Sequence, residues 1–535
     1  MSKRFFITTA IDYLNGQPHL GHAYEKVITD VIARARRSFG DDVFFLTGLD
    51  EHGQKVQQAA ESEGKSPQAY CDELAKDWRA LAEKLGLSNN DFIRTTEERH
   101  RRVVQAALSK LHAGGHVYKA TYKGFYSTKE ETFLTEKDRR PDGTFDPCYG
   151  EVVELEEDNY YFKLDDHQQW LIDYIESNPD FIYPSTRRNE VLGFLKNNAL
   201  EDLCITRPAL RLNWGIPLPF EKDFVTYVWF DALVNYITVP ASHGDPTVLA
   251  VLDGIADPKL STLGSQPPAL LWPADIHVVG KDIVKFHAVY WPILLKKMGL
   301  ALPKQLIVHG WWQKDGQKMS KSTGNVVDPI AVIDEWGLDA FRFYVVRELD
   351  IGPDGNWTNA GFQARYQAEL ANGLGNLVNR SLSMLKRYRN GVVPARSDEL
   401  ADDAAKTLQV AVSNYREHKL QLAVQNIWLL ITRANQYVDQ TAPFKLAKDP
   451  SQASRLDEIL YNLAEICRVL AVLLWPVLPS SADKIFAQLN LSTAPDKMTA
   501  AAWGGLAPGH MIGEPSALFP RKDQPASAIS SSSSK

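Results

Sequence analysis

The sequence is poor in cysteine, and this excludes several classes of scaffold and metal site. Its four cysteines, Cys71, Cys148, Cys204 and Cys467, lie far apart and form no Cys-x-x-Cys pair. Such spacing fits neither a disulfide framework nor a compact zinc knuckle made of neighbouring thiolates. We therefore expect reduced thiols, most of them buried.

The sequence also lacks a long apolar run. No stretch approaches the roughly 18 uninterrupted apolar residues of a membrane span. The apolar segment from Phe5 to Ile11 is too short for a secretory signal, and Asp12 ends it without a small-residue cleavage site. These absences predict a cytoplasmic protein that does not enter a membrane.

A strong excess of charge of one sign is missing as well. The formal net charge is −7 over 535 residues. This value argues against an indiscriminate coat for nucleic acid, although local basic clusters can still bind a polyanion. Hydrophobic residues make up 44% and charged residues 23% of the chain, as in ordinary globular proteins. A chain this long exceeds one hydrophobic core, so we expect about three or four domains.

The first part of the chain alternates predicted strands and helices. The pattern places a buried strand at 4–11, a helix from about His19 to Phe39, a strand at Val43–Thr47, a strand at Asp275–Val279 that leads into a helix near Lys281, and a strand at Gln305–His309. Alternation of this kind favours a parallel sheet covered by helices. The stretch from about 118 to 225 is richer in charge and tyrosine, and we interpret it as an insertion between two halves of that fold.

Beyond about residue 355 the pattern becomes helical. Apolar residues recur at three- and four-residue spacing in two segments, one with Val424, Ile427, Ile431, Ala434 and Val438 and the other with Leu456, Leu460, Leu463, Cys467, Leu470 and Leu474. These stripes predict a helix bundle. Pro476 and Pro479 interrupt the second stripe, and the polar segment Ser527–Lys535 is predicted to be disordered.

A paired-histidine motif, His19-Leu20-Gly21-His22, follows Pro18 at the predicted start of the first helix. The two imidazoles fall on one side of the first turn, where backbone N–H groups and the positive end of the helix dipole point the same way. This arrangement suits a phosphate, and Gly21 leaves room for a base or a ribose close to the backbone. Taken alone, two surface histidines at a helix end would explain the motif as well.

A lysine motif, Lys318-Met319-Ser320-Lys321-Ser322, lies far downstream between Asp315-Gly316 and Gly324. The flanking residues are typical of a mobile loop. Two flexible ammonium groups suit the charge that develops on a leaving pyrophosphate. An arbitrary Lys-x-x-Lys pair is usually a solvated basic loop, so the functional interpretation depends on both motifs occurring together in this order.

Together the two motifs resemble those of class I aminoacyl-tRNA synthetases, and the chain is similar to the methionyl-tRNA synthetase family over almost its whole length. The resemblance implies that ATP activates L-methionine with release of pyrophosphate, and that methionine then passes to the terminal adenosine of tRNA(Met). It assigns catalysis to His19, His22, Lys318 and Lys321. The first step needs no protein nucleophile because the ionised amino-acid carboxylate attacks the α-phosphate itself, so catalysis consists of positioning and electrostatics.

The resemblance also implies an α/β fold, with a Rossmann-like parallel-sheet catalytic domain split by an insertion and followed by an α-helix-bundle anticodon-binding domain. The expected segments are the two catalytic halves at 1–117 and 226–300, the insertion at 118–225, the lysine-motif loop and stem-contact region at 301–354, the helical domain at 355–505 and a tail at 506–535 that ends in disorder.

Three more segments resemble the family's substrate site. The methionine-binding residues implied are Ile11 through its carbonyl, Tyr13, Asp50, Trp229, Ala232, Tyr236, Ile283 and His287, with Leu233 where some relatives carry proline and Trp291 further along the chain. The ATP-binding residues implied are His19, Gly21, His22, Glu25, Gly280, Asp282 and Lys321, with Mg²⁺ accompanying ATP. Without the motifs, the aromatic residues would be assigned to the core, His287 would be an ordinary buried histidine, and Asp50 beside Glu51 would be a surface acidic pair.

The predicted insertion departs from the family pattern. Many of these enzymes hold it together with Cys-x-x-Cys knuckles, whereas Ser127 and Glu130 stand where the first pair would be, and a lone Cys148 follows. One thiolate cannot build a tetrahedral structural site, so we predict no bound metal there, and no structural zinc in particular. We expect packing among Tyr122, Phe125, Tyr126, Phe133 and Tyr149 instead.

The helical part carries an anticodon-reading pair by resemblance. Asn376 and Arg380 are four residues apart, hence on one helix face, and both side chains can hydrogen-bond base edges. Phe444 stands where the family often has tryptophan; it can stack on a base, but over a smaller face and without an N–H donor. A polar surface patch would also explain the pair. The nearby Lys386, Arg387 and Arg389 are either phosphate contacts or a solvated basic face.

Other classes of protein fit the sequence less well. Leucine, isoleucine and valine enzymes share both motifs but carry a large editing insertion, and the present one spans only about 110 residues. Cysteine enzymes would need thiol and imidazole zinc ligands. A small nucleotidylyltransferase would not need the helix bundle or the lysine motif, and an inactive tRNA-binding paralogue would be expected to have lost motif residues.

The resemblance therefore implies L-methionine, ATP and tRNA(Met), including the initiator tRNA, as partners. Some relatives carry an appended dimerising domain that this sequence does not include after the predicted bundle. On that basis we expect a monomer.

Overall fold

The computed structural model describes residues 2–14, 16–127, 132–134, 138–252, 270–319 and 324–522. The chain divides into two compact units. The first unit comprises Lys3–Thr29 and Asp42–Trp311, and the second comprises Asp30–Asp41 and Trp312–Lys535. The predicted disordered segment Ser527–Lys535 lies outside the described residues.

The first unit is a mixed α/β structure. Its strands are β1 (Arg4–Thr9), β2 (Asp12–Tyr13), β3 (Asp42–Asp50), β4 (Asp91–Arg94), β5 (Val117–Ser127), β6 (Thr132–Leu134), β7 (Val152–Phe162), β8 (Ile182–Tyr183), β9 (Leu203–Cys204), β10 (Thr206–Pro208), β11 (Phe224–Thr226), β12 (Ile276–Gly280) and β13 (Gln305–His309). Its helices are α1 (Leu20–Ser38, whose last residues belong to the second unit), α2 (Gln54–Ser62), α3 (Pro67–Lys84), α4 (Glu98–Ala113), α5 (Gln168–Ser177), α6 (Ser185–Asn197), α7 (Val228–Ser242), α8 (Pro246–Leu249) and α9 (Trp291–Met298).

Among the described residues, seven strands form one sheet in the order β2-β3-β1-β12-β13-β8, with β4 paired to β3. Every pairing in it is parallel, for example Ile7 beside both Phe45 and Ile276. The predicted parallel sheet is thus confirmed. From β1 the chain continues to strands on one side of the sheet, and from β12 it continues to β13 on the other side. Ligands of such sheets bind at this switch point, beside the carboxyl ends of the strands.

The strands of this sheet are buried on both faces, as parallel strands covered by helices must be. Phe5, Phe6 and Ile7 of β1 are all at most 3% exposed. The first strand is shorter than the predicted 4–11, since β1 ends at Thr9. The next residue, Ala10, still donates its N–H to the Val278 carbonyl at 3.0 Å. The predicted strand at Val43–Thr47 extends further, to Asp50. Asp50 therefore stands at the carboxyl end of β3.

Within the predicted insertion, an antiparallel hairpin pairs β5 with β7 along their full length. The register runs from Val117 opposite Phe162 to Ser127 opposite Val152, and β6 and β9 extend the same sheet. Tyr160 and Phe162 of β7 are buried in the apolar core that the parallel sheet also shares. The hairpin therefore packs as part of the first unit.

The helix predicted to begin near Lys281 is less regular than its sequence suggests. A 3₁₀ turn at Lys281–Ile283 is followed by a π-helical stretch at Phe286–Tyr290, and regular α-helix begins only at Trp291. A wider π turn changes which side chains share a face. The simple four-residue spacing expected from the sequence does not apply across this stretch.

The second unit is mainly helical. Its strands are β14 (Trp312–Lys314), β15 (Gln317–Lys318) and β16 (Gly355–Trp357), and its helices are α10 (Pro329–Trp336), α11 (Leu338–Glu348), α12 (Asn359–Arg365), α13 (Asn376–Arg389), α14 (Ala401–Arg416), α15 (Leu420–Thr441), α16 (Pro443–Leu446), α17 (Ala453–Leu474) and α18 (Pro479–Gln488). A π-helical stretch at Tyr366–Gly375 lies between α12 and α13.

The predicted helix bundle is confirmed. All the apolar residues of the two predicted stripes are buried on α15 and α17. Helix α17 ends at Leu474 and α18 starts at Pro479, so the two prolines act at the predicted boundary. The bundle core therefore follows directly from the 3.6-residue period of the sequence.

Two further sequence-based expectations concern the thiols and membranes. Cys71 and Cys467 are buried, Cys204 is half-buried and Cys148 is exposed, so the expectation that most thiols are buried is only partly correct. All four thiols are free. In the part of the chain that the structure describes, no helix is both long and apolar enough to cross a membrane.

Candidate active site

The carboxyl ends of β1, β3, β12 and β13 meet at one edge of the parallel sheet. Neighbouring chain segments place predicted site residues of the first unit around that edge: the paired-histidine motif after β2, Asp50 at the end of β3 and Gly280 at the end of β12. His309, which was not predicted as a site residue, ends β13. Parallel strands bring such residues together although they are far apart in sequence.

The paired histidines precede and open α1. The two rings stack with their centroids 3.8 Å apart, and His22 also meets the edge of the Trp78 indole at 4.8 Å. The backbone N–H of Gly21 donates to His19 Nδ1 at 3.1 Å. A Cβ on Gly21 would lie 3.0 Å from the His19 ring, so here glycine makes room for the imidazole rather than only for a ligand.

Asp50 is buried, 7% exposed, which excludes the surface acidic pair as an explanation. Its Oδ1 has no hydrogen-bond partner among the described residues. Burial raises the pKa of Asp50 well above its ordinary value of 3.8, and the neighbouring Asp231 and Glu51 carboxylates raise it further. An unsatisfied buried carboxylate favours the arrival of a cation.

The two acidic neighbours of Asp50 have partners of their own. Glu51 accepts hydrogen bonds from the Arg94 guanidinium at 2.6 Å and from the Thr96 hydroxyl. Asp231 lies 2.8 Å from His52 Nδ1. In the part of the chain that the structure describes, Asp231 Oδ1, like Asp50 Oδ1, is buried without a hydrogen-bond partner. Among the described residues, Asp50 differs from both acidic neighbours in having no basic side chain as a partner, since Glu51 pairs with Arg94 and Asp231 with His52.

Tyr13 lies directly beside Asp50, because these two residues are register partners across β2 and β3. The next residue, Leu14, donates its N–H to the Asp50 carbonyl at 3.0 Å. Ile11 is half-buried two positions before Tyr13 and packs against the apolar core of the parallel sheet. All three residues predicted at the ammonium end of the substrate are therefore neighbours at this strand end.

A second group of predicted residues, those expected to form the methionine slot, lies in a cluster of aromatic rings. On α7, Trp229 and Tyr236 are buried and Ala232 between them is half-buried. Trp229 Nε1 donates to the Cys204 carbonyl at 3.2 Å, and its ring lies 6.2 Å from that of Phe286. Fixed aromatic faces around a small side chain suit a flexible thioether.

Tyr236 and His287 form a hydrogen-bonded pair in this slot. His287 Nδ1 lies 3.0 Å from the Ile283 carbonyl, which can only accept, so Nδ1 carries the hydrogen. Burial lowers the pKa of His287, which keeps the ring neutral. Nε2 is then an acceptor, and the Tyr236 hydroxyl donates to it across 2.8 Å.

The predicted ATP-binding residues that the structure describes lie just before and on α1 and at the end of β12. Asp282 is exposed in the 3₁₀ turn after Gly280. Glu25 is buried, and its carboxylate lies 2.9 Å from His309 Nε2. Glu25 is therefore already engaged by a protein side chain, a partner that the sequence did not reveal.

His309 is a buried histidine that sequence reasoning missed. Its Nδ1 lies 2.8 Å from the Gly310 carbonyl, and its Nε2 faces Glu25. Burial opposes protonation, but the Glu25 hydrogen bond and charge raise the pKa of His309. Both ring nitrogens donate, as in an imidazolium. The rule that ligands gather at strand carboxyl ends could have identified it, since it closes the predicted strand Gln305–His309.

The lysine motif begins in the second unit. Strands β14 and β15 form a hairpin whose turn residues, Asp315 and Gly316, have φ of 51° and 76°, as a tight hairpin turn requires. Lys318 ends β15 and is described by its backbone alone. Lys321 lies outside the described residues, so its predicted role remains a prediction.

The tip of the insertion contains no second cysteine near Cys148 among the described residues. Ser127 is buried and donates to the Tyr149 carbonyl at 2.6 Å, while Glu130 lies outside the described residues. The Arg139 guanidinium lies over Phe125 and Phe145. Of the predicted packing residues, Tyr126 is buried, and the side chains of Tyr122 and Phe133 are not described.

We predict that the purified protein contains far less than one zinc per chain. The reason is that Ser127 is committed to a backbone carbonyl and a lone exposed thiol cannot complete a tetrahedral site. Atomic absorption on protein purified without chelator measures this directly. A result of about one zinc per chain, lost in C148S, would show that the prediction is wrong.

The predicted anticodon-reading residues lie in the second unit. Asn376 opens α13, and Arg380 follows one turn later, where its guanidinium pairs with Asp439 at 3.1 Å. Phe444, on α16, is 44% exposed. Lys386 and Arg389 form ion pairs with Glu514 and Asp457. These ion pairs do not decide between the two explanations given for the basic residues, so phosphate contact and a solvated basic face both stand.

Comparison with known proteins agrees with this geometry. A family described as tRNA synthetases class I (M) matches residues 5–152 and 147–382, and one described as the anticodon binding domain of methionyl tRNA ligase matches residues 389–528. A methionine–tRNA ligase of Clostridium tetani is 40% identical over 97% of this chain and 79% of that protein. The methionine–tRNA ligase of Bacillus subtilis is 41% identical over 97% of this chain and 78% of that protein.

A solved structure has the same fold. Mycobacterium tuberculosis methionyl-tRNA synthetase in complex with methionyl-adenylate superposes with a TM-score of 0.85 at 37% identity, covering 97% of this chain and all of that one. Sequence and fold agree over nearly the full length of the chain. The chain therefore belongs to the methionyl-tRNA synthetase family of class I aminoacyl-tRNA synthetases, the ligases that join methionine to tRNA.

Proposed function

We propose that the strand-end cleft of the first unit binds methionine and ATP and performs the family's first reaction there. The methionine carboxylate attacks the α-phosphate of ATP, a new carboxyl-oxygen-to-phosphorus bond forms, and the bond to the bridging oxygen breaks as pyrophosphate leaves. A tRNA ribose hydroxyl then attacks the carbonyl carbon and AMP leaves. The observation that supports this proposal most strongly is the buried, unsatisfied Asp50 oxygen at the carboxyl end of β3.

In this proposal the methionine ammonium group binds Asp50, with the Ile11 carbonyl as a further acceptor and Tyr13 alongside. The energetic argument rests on burial, because the carboxylate is costly to ionise alone and the ammonium charge offsets that cost. Bound in this way, the carboxylate of methionine is held for attack without any protein nucleophile.

The thioether side chain would enter the slot lined by Trp229, Ala232, Tyr236, Ile283 and His287. Since Nε2 of His287 accepts from Tyr236 and Nδ1 donates to the Ile283 carbonyl, this histidine offers no unsatisfied ring nitrogen to a polar rival. A branched side chain would collide with fixed rings, because the aromatic side chains hold one another in place. The packed aromatic rings and the satisfied His287 ring together favour the methionine side chain.

ATP would lie between the paired histidines and the ends of β12 and β13. His19 and His22 would contact the phosphates, Gly21 and Gly280 would allow close backbone approach, and Asp282 would hold the ribose. Glu25 would act through His309, to which it is hydrogen-bonded. Lys318 and Lys321 would neutralise the leaving pyrophosphate.

Mg²⁺ would accompany ATP rather than occupy a resident site. In the described ranges, no group of three or more histidine, cysteine, aspartate or glutamate side chains is arranged to hold a metal ion. Mg²⁺ commonly binds through substrate phosphates with few protein ligands. The donor set of the cleft therefore suits a metal ion delivered with the nucleotide.

The second unit would recognise tRNA(Met), including the initiator tRNA, through Asn376, Arg380 and Phe444. The exposed Phe444 ring is available for base stacking, and the Arg380 guanidinium can exchange Asp439 for a base edge.

We further infer that the protein works as a cytoplasmic monomer, because a single chain supplies all the site residues and its thiols are free. Light scattering of the purified chain tests the oligomeric state.

The proposed reaction is tested by amino-acid-dependent ATP–pyrophosphate exchange with a panel of amino acids. We expect exchange with methionine, and at most weak exchange with leucine, isoleucine, valine and cysteine. Exchange stimulated by leucine or valine but not by methionine would overturn the substrate assignment. Exchange that methionine supports but that fails to yield methionyl-tRNA would separate the activation step from the transfer step.

The Tyr236 hydroxyl should contribute to methionine binding through His287. In Y236F, His287 Nε2 loses its donor in a buried site, so we expect KM for methionine to rise about tenfold while kcat changes little. Y415F is a matched control, because the buried Tyr415 hydroxyl donates to the Leu473 carbonyl in the second unit. Equal methionine KM in Y236F and the parent protein would remove this hydroxyl from the binding argument.

A further inference from the structure

Trp311 follows β13 directly after Gly310, and none of the predicted roles includes it. Its Nε1 lies 3.1 Å from Asp282 Oδ1. An indole nitrogen can only donate, so the direction of this hydrogen bond is certain. The sequence separates the two residues by 29 positions, and the contact exists because β12 and β13 end side by side.

Asp282 is constrained from a second direction. A Cβ placed on Gly280 would lie 2.5 Å from Asp282 Oδ1, so the carboxylate folds back over the glycine backbone. The same oxygen accepts from Trp311. With Oδ1 fixed in this way, Oδ2 can still accept a hydrogen bond from a ligand, since an ionised carboxylate is an acceptor at both oxygens.

The indole itself is fixed by a neighbouring charge. The Lys281 ammonium group lies over the Trp311 ring, 4.2 Å from its centroid, in a cation–π contact. Core packing does not explain this tryptophan, because Trp311 is 37% exposed, whereas Trp312, the next residue, is 3% exposed. Lys281, Asp282 and Trp311 therefore form one ordered cluster at the cleft edge.

We propose that Trp311 is a positioning residue that holds the Asp282 carboxylate for the ribose hydroxyls of ATP. This inference rests on the proposed role of Asp282 and adds the group that orients it. A carboxylate held before the ligand arrives need not lose rotational freedom on binding, so the bond to the ribose is stronger than one from a mobile side chain.

The test uses W311F, which keeps an aromatic face for Lys281 and removes only the N–H donor. In methionine-dependent pyrophosphate exchange, we expect KM for ATP to rise about tenfold, while kcat and KM for methionine stay within about twofold. With 2′,3′-dideoxy-ATP, which lacks the ribose hydroxyls, we expect W311F and the parent protein to have the same KM. A general structural defect would raise both KM values alike.

W503F is the matched control, because Trp503 Nε1 donates to the Ser397 carbonyl at the same distance, 3.1 Å, in the second unit. It should leave the ATP KM unchanged. An ATP KM unchanged in W311F, or a loss of equal size with both nucleotides, would overturn the proposal. The role of Asp282 is tested separately with D282A. If D282A does not abolish the preference for ATP over the dideoxy nucleotide, the ribose assignment fails and the Trp311 proposal fails with it.

Discussion

Replacement of Asp50 by asparagine will lower kcat/KM for methionine by about 10³-fold, because removing one partner of a buried charge pair leaves the other charge uncompensated. The side chain keeps its size, so the loss will report the charge rather than a cavity. Asp50 is the appropriate target because, among the described residues, it pairs with no basic side chain, whereas Glu51 pairs with Arg94 and Asp231 with His52. Steady-state pyrophosphate exchange measures the effect.

The control for this variant is D339N. Asp339 is another buried aspartate with a raised pKa, but its carboxylate accepts a hydrogen bond from the Ser481 backbone N–H in the first turn of α18, in the second unit. We expect D339N to lower the temperature of unfolding and leave the KM for methionine near its parent value. If D50N retained a normal methionine KM, or if D339N raised it equally, Asp50 would not be the ammonium ligand.

Asp50 should also make methionine binding depend on pH. Its pKa is raised above 3.8, chiefly by burial, so on acidification it takes up a proton at a higher pH than an exposed aspartate does. The protonated acid no longer attracts an ammonium group. KM for methionine should therefore rise as pH falls through the raised pKa, and this rise should be absent in D50N.

Replacement of Lys321 by alanine will reduce the rate of methionine activation by about 10²-fold or more, on the order of one oriented transition-state contact. The ammonium group would meet charge that develops on the pyrophosphate as it leaves, so kcat should fall more than either KM rises. Single-turnover adenylate formation measures this step without interference from product release.

K314A provides a lysine control from the strand that precedes the same hairpin turn. It removes an equal charge at a position to which no transition-state role is assigned, so the activation rate should stay within about twofold of the parent value. Near-normal activation in K321A, or an equal loss in K314A, would exclude a specific role for Lys321 in the chemistry.

Local sequence patterns predicted the helices and strands whose burial follows from the spacing of apolar residues along the chain. The stripe from Leu456 to Leu474 became a buried helix because burial on one face follows from helical period. The strands around Ile7, Phe45 and Val278 are buried on both faces, and short apolar runs between helices indicated this. Their endpoints were less predictable, since β3 runs three residues beyond the expected Thr47.

The contacts between charged and polar side chains at the site could not be predicted from local sequence patterns. The His309–Glu25 contact joins residues 284 positions apart, and the His52–Asp231 contact joins residues 179 apart. Neither carries a local signal, because each depends on which strands become neighbours. Family resemblance supplied candidate residues, but it did not reveal that Glu25 already has a partner or that Trp311 contacts Asp282.

The π-helical stretch at Phe286–Tyr290 shows another limit. Four-residue spacing would put His287 and Trp291 on one face of a regular helix, and the wider turn alters that relation. The sequence contains no residue whose presence forces such a turn. The orientation of His287 toward Tyr236 is therefore known from the folded structure alone.

The uninterrupted pairing of β5 with β7 sets a rule for redesigning the insertion. Side chains alternate between the two faces of a strand, so removing one residue from each strand would exchange the buried and exposed faces of everything beyond the cut. Removing two from each, for instance at Thr121 and Tyr122 with their register partners Asp158 and Glu157, preserves both faces. The hairpin can therefore be shortened or lengthened in steps of about two residues per strand, and its length is an adjustable parameter of the chain.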